Sequence, residues 1–166
     1  MAGCARNSPA GGTALPWDPA RSYAVGEFAR SHGGRVPGRV VKHIEDTEAL
    51  TARNRRMTLT FAFNYGGRAE LTDALRAIAR AVAAKTLDPA RIDERTIARH
   101  LYAPDMPDPD LLVRTSGEFR ISNFLLWQLA YSELVFTDVL WPDFRREHLF
   151  NAIEEFQRRD RRYGAV

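Results

Sequence analysis

Two short runs set the tightest limits on what this chain can fold into: Met57–Phe63 (MTLTFAF) and Leu111–Val113. Apolar, β-branched and aromatic residues dominate them, and each runs into a turn bearing glycine and then a segment of helical spacing. After the first comes Asn64-Tyr65-Gly66-Gly67-Arg68, then Leu71, Leu75, Ile78 and Val82 on one helical stripe. After the second comes Arg114-Thr115-Ser116-Gly117, then a helical pattern over Phe124–Leu134 with Ser122 or Asn123 as its N-cap. Strands alternating with helices predict an α/β fold with a mainly parallel sheet flanked by helices. Both runs are expected to be buried strands.

The rest of the chain fits around these units. Val40–Arg53 carries a rough helical stripe of Ile44, Thr47 and Leu50, and Asp93–Leu101 reads as a short helix capped by Asp93. The prolines of 104–109 make a stiff loop. Val135-Phe136 reads as a further short strand. Trp141–Phe144 turns the chain into a last helix, with Asp143 as its cap and Leu149, Ile153 and Phe156 on its apolar face. The far end of that helix is basic, with Arg158, Arg159, Arg161 and Arg162, which suits the negative end of the helix dipole. Residues 1–35 are rich in glycine and proline and show no period, so they read as an irregular or disordered leader, and residues 36–166 as the regular portion. Two or three strands are few for a complete sheet of this class.

Composition narrows the chemistry. Hydrophobic residues make up 45% and charged residues 27% of the 166, which excludes a chain disordered throughout. No stretch approaches a membrane span. The single cysteine, Cys4, permits no internal disulfide, fits a reducing compartment, and sits too far from any motif to suggest a thiol nucleophile. The four histidines lack metal-ligand spacing, no Walker-type loop occurs, and Asp108 and Asp110 are split by Pro109. The net charge of +3 invites phosphate-bearing partners.

The strongest local signal is Arg114–Ser122 (RTSGEFRIS), placed where a strand ends, which is where open α/β sheets bind ligands. Arg114 and Arg120 are permanently charged and can each grip phosphate oxygens with a planar fork. Ser122 and the free N–H groups of a following helix add donors. A diphosphate suits that set. The alternative is a solvated turn whose arginines pair with Glu118. Gly66-Gly67 allows close approach to a ligand, or simply a tight turn. Glu133 lies near the end of the expected helix, roughly 16 Å from Ser122 along a straight axis, so the two cannot readily share one phosphate. On the residues alone it is a buried or interfacial glutamate with a partner.

Arg114–Phe144 (RTSGEFRISNFLLWQLAYSELVFTDVLWPDF), together with NYGGR at 64–68, PDPDLLVRTSGE at 107–118 and RRDRRYG at 158–164, resembles the cis-prenyltransferase family, the undecaprenyl diphosphate synthase-like isoprenyl transferases. The resemblance implies condensation of isopentenyl diphosphate with an allylic diphosphate in cis geometry, with magnesium as cofactor. It implies a homodimer in the cytoplasm, brought near a membrane by its product, and no nucleic-acid partner. Matching positions make Arg114, Arg120 and Ser122 substrate-binding residues and Glu133 the magnesium-associated one. Two family segments are not found: a Met-Asp-Gly-Asn-type phosphate loop followed by Arg-Trp, and a Ser-x-Glu-Asn-Trp stretch. The chain thus reads as the C-terminal portion of such an enzyme behind an unrelated leader, either contributing the isopentenyl diphosphate site or serving as a non-catalytic fragment or accessory subunit. With strands missing, apolar surface is expected to stay exposed around Met57–Phe63 or Leu111–Val113.

Overall fold

A computed structural model describes residues 24–28 (backbone), 37–54 and 57–159. The chain divides into two units, one built from residues 1–27 and 35–61, the other from 28–34 and 62–166.

The first unit holds strand β1 (Ala24–Phe28), helix α1 (Gly38–Thr51) and strand β2 (Thr58–Ala62). β1 lies within the stretch 1–35, and its order comes from pairing with β2 in a two-stranded sheet rather than from any period of its own. The rest of that stretch lies outside the described residues. α1 matches the helical stripe, and its Thr51 hydroxyl folds back onto the carbonyl of Thr47 at 2.8 Å. β2 forms where the apolar run predicts it, but it is not buried. Leu59 and Thr60 are half-covered, while Met57, Phe61 and Phe63 are 48%, 57% and 51% exposed. A strand is buried only where another layer covers it, and apolar composition does not supply that layer.

The second unit starts with helix α2 (Gly67–Ala83), followed after a 3-10 turn by the short helix α3 (Glu94–Ala98). Asp93 caps α3 as expected. Its carboxylate accepts from the Thr96 hydroxyl and from Thr96 N–H, both at 2.7 Å, and the two bonds, the hydroxyl's first, draw the Asp93 pKa below the usual carboxylate range. α2 buries Gly67, Glu70, Ala74 and Ile78, a face rotated from the expected stripe so that Leu75 points to solvent. Strands β3 (Leu111–Arg114) and β4 (Glu133–Phe136) run parallel, in register from Leu111 with Glu133 to Arg114 with Phe136. Helix α4 (Arg146–Arg158) packs against β4. It is capped by Arg145, whose N–H donates to His148 Nδ1 at 2.9 Å, and not by Asp143, which belongs to the preceding 3-10 turn.

The helix expected over Phe124–Leu134 is absent. Residues 121–132 form successive turns, with Ser122, Asn123 and Leu125 at positive φ (48°, 64° and 46°). Residues at positive φ cannot continue a right-handed helix. Downstream, pairing with β3 claims Glu133–Phe136 for the sheet. The helical spacing survives only as burial, since Leu125, Gln128 and Leu129 all face inward. Leu125 and Leu129 form a core with Tyr65, Tyr102, Leu112 and Phe124 around them. Among the described residues no helix is long and apolar enough to cross a membrane.

Candidate functional site

β3 ends at Arg114, and the chain then makes a turn that is stitched to the strand end opposite. Ser116 N–H donates to Val139 O at 2.9 Å and Gly117 N–H to Thr137 O at 3.0 Å. Gly117 sits at φ 63°, where a side chain is strained, and a Cβ there would also come within 3.0 Å of Asp138 Oδ1. This rigid turn opens a cavity of about 510 Å³ at the carboxyl end of β3. Arg114, Thr115, Ser116 and Glu118 form its polar side, and Leu112, Ile121 and Phe124 its apolar side.

The two arginines meet through one carboxylate. Glu118 Oε2 lies 4.0 Å from Arg114 Nη2 and is paired directly with Arg120 Nη2. The Arg114 side chain is 25% exposed and that of Arg120 65%. Glu118 is the partner that the solvated-turn alternative requires. That alternative does not account for the cavity, nor for Arg114 Nε, which is buried and makes no hydrogen bond. Ser122 is exposed, and neither it nor Arg120 lines the cavity.

Glu133 lies elsewhere. Instead of ending a helix it opens β4, its N–H donating to Asp110 O at 2.9 Å. Its Oε2 accepts from Arg159 Nη1 at 2.7 Å, and this pair, with Glu155 on the same guanidinium, holds the Arg159 pKa above its ordinary value. No group of three or more His, Cys, Asp or Glu able to hold a metal occurs among the described residues. With Glu133 engaged by a cation of the chain itself, the donor set does not fit a magnesium site built by these residues. Arg161 and Arg162 lie outside the described residues.

The undecaprenyl diphosphate synthase family of prenyltransferases matches residues 25–164. The chain belongs to that family. The chain is 56% identical over 133 residues to a trans,polycis-polyprenyl diphosphate synthase of Thermobifida fusca, described as (2Z,6E)-farnesyl diphosphate specific, covering 80% of the chain and 47% of that protein. It is 54% identical over 136 residues to isoprenyl transferase 1 of Streptomyces coelicolor, covering 80% of the chain and 49% of that protein. Among solved structures it is similar to lavandulyl diphosphate synthase from Lavandula x intermedia, in complex with dimethylallyl diphosphate, with a TM-score of 0.80 and 34% identity over 91% of the chain and 63% of that structure. The chain thus spans about half the length of these curated relatives.

Two connections within the chain went unread in the sequence. Glu70 is fully buried, accepting from Tyr65 Oη (2.6 Å), Tyr102 N–H (3.0 Å) and Gln128 Nε2 (3.2 Å). Asn123 caps α2 from the loop beyond Ser122: its O accepts from Gly67 N–H and its Oδ1 from Arg68 N–H, both at 2.8 Å. The carboxylate in register with Ala74 and Ile78 was the available signal for Glu70. The glycine pair at 66–67 was the signal for the close loop.

Proposed function

We propose that the chain is part of an isoprenyl transferase that condenses isopentenyl diphosphate with an allylic diphosphate in cis geometry, and that the cavity at the end of β3 receives the isopentenyl diphosphate. The observation that carries this is the pair of guanidiniums, Arg114 and Arg120, on either side of the Glu118 carboxylate, with Arg114 lining a cavity of about 510 Å³. Glu118 marks a place for that anion: it is paired with Arg120 and stands 4.0 Å from Arg114, whose buried Nε is left without an acceptor. Arg114 then grips the diphosphate from the cavity wall, Ile121 and Phe124 offer apolar surface to the hydrocarbon portion, and Arg120 and Ser122, which lie outside the lining, would close on the diphosphate from the adjoining loop. In the reaction the allylic diphosphate ionises, the double bond of isopentenyl diphosphate attacks the resulting carbocation-like centre, and a proton is lost. The share of these residues is to hold the acceptor in place and to neutralise its charge. Magnesium enters the proposal as a cation carried with the diphosphates rather than one held by the chain's own Glu133, which Arg159 engages. A homodimer in the cytoplasm, close to a membrane through its lipid product, completes the reading.

With Glu133 held by Arg159, a second reading is a non-catalytic portion or accessory subunit that binds but does not elongate. A magnesium-dependent elongation assay on the chain separates the two. The site itself is tested by calorimetry with isopentenyl diphosphate. Arg114→Ala and Arg120→Ala should each lose about 1.5–3 kcal/mol, roughly ten- to hundredfold in affinity. Lysine at either position should recover only part, since it keeps the charge without the planar fork. Unchanged affinity in both alanine variants would remove the site.

A further inference from the structure

α2 begins without a cap of its own. Its N-cap residue, Gly66, has no side chain, so the first N–H groups of the helix must find acceptors elsewhere. Both acceptors come from one residue 55 positions away, Asn123, through its main-chain O and its Oδ1. The approach is close enough to explain the glycine pair. A Cβ on Gly66 would lie 2.9 Å from Asn123 Nδ2, and one on Gly67 would lie 3.2 Å from Asn123 O and 3.1 Å from Leu126 N. Asn123 in turn holds φ 64° and Ser122 φ 48°, conformations that L residues adopt at a cost and keep only where surrounding contacts hold them.

We propose that Asn123 is a positioning residue for the anion site: the two-point cap on α2 fixes the backbone of the loop from which Ser122, one residue before, and Arg120, three before, are presented. This rests on the reading of Arg114, Arg120 and Ser122 as a diphosphate site. The packing of α2 against this segment has a separate anchor, Glu70 with Gln128, so loss of the cap loosens the Arg120–Ser122 backbone before it unfolds the unit. The Gly66-Gly67 turn therefore serves the site without touching ligand, by leaving room for the loop that carries it.

The test measures isopentenyl diphosphate affinity by calorimetry and thermal midpoint on the full chain, for wild type, Asn123→Ala, Asn123→Gly and Asp93→Ala. Asp93 caps α3, lies outside the site, and supplies a destabilised control. Asn123→Ala should bind about tenfold more weakly, while Asp93→Ala lowers the midpoint and binds like wild type. Should the alanine variant fail to fold at φ 64°, Asn123→Gly accepts that conformation and loses only the side-chain cap, and it should bind about fivefold more weakly. Wild-type affinity in a folded Asn123 variant overturns the proposal and leaves the site standing. Equal weakening in Asp93→Ala reduces it to general loosening and overturns it as well. A wild-type chain that binds no isopentenyl diphosphate removes the site, and with it anything to position.

Discussion

A carboxylate as deeply buried as Glu70 persists only because its oxygens are saturated by donors from three places: the Tyr65 hydroxyl, the Tyr102 main chain and the Gln128 amide. Replacing it with alanine strands those donors in a dry setting. Glu70→Ala should cost about 3 kcal/mol, read from the midpoint of chemical denaturation, and a loss under about 0.5 kcal/mol would show that the network is not what holds this unit. The tyrosines near it carry a pH signature. Burial, then the hydrogen bond from the Tyr102 hydroxyl to Asp73 Oδ2 at 2.7 Å, push the Tyr102 pKa up to about 12, and burial with Glu70 raises that of Tyr65. An unfolded tyrosine ionises near pH 10. The unfolded chain therefore sheds these protons first as pH rises. The stability they contribute is intact below about pH 10 and is lost as pH climbs through about 12. Tyr102→Phe should flatten that alkaline fall, and an unchanged slope would contradict the assignment.

Among the elements, those with local signals were legible from residues alone. α1, α3 and α4 form where their spacing predicts, though Leu50 and Leu149 of the expected stripes are exposed, and α3 follows its cap; Asp93→Ala should lower the midpoint of thermal or chemical unfolding. α2 was legible as a helix, but its inward face was misassigned because Glu70 reads as a surface residue and Leu75 as a core one. The 121–132 segment was not legible. Its spacing is helical, and what overrides it is a contact between Asn123 and a helix start far away in the chain, which no local pattern encodes. The site was legible in the same partial way. Arg114 and Arg120 converge as their spacing allowed, whereas Ser122 and Glu133 were placed by assuming that helix. The glycine turn offers an element-level check. Gly67→Ala brings a Cβ to 2.8 Å from Leu126 Cγ and close to two backbone atoms, so it should destabilise by about 1–3 kcal/mol where a helix-interior Gly→Ala change ordinarily stabilises.

Across the whole molecule, family membership was legible because one long motif carries it, and the expectation of uncovered apolar surface holds at one of its two places. Met57, Phe61 and Phe63 are open to solvent, while Leu111–Val113 is half-covered by its surroundings. Phe119, Tyr131 and Trp141 add exposed aromatic surface. The purified chain should bind an apolar-sensitive dye in its native state and self-associate as concentration rises; a sharply melting monomer that leaves the dye dark would contradict this. The parallel pairing of β3 and β4 has a consequence in time. Parallel strands cannot be closed by a hairpin, so the segment 115–132 must be laid across the unit before their ladder can form. That segment is in turn held by contacts spanning 55 and 58 residues, and the entropy of closing such long loops comes before any reward from packing. The arginine turn therefore takes its final form only late in refolding: after dilution from denaturant, recovery of the anion binding proposed for it should lag behind recovery of helical signal.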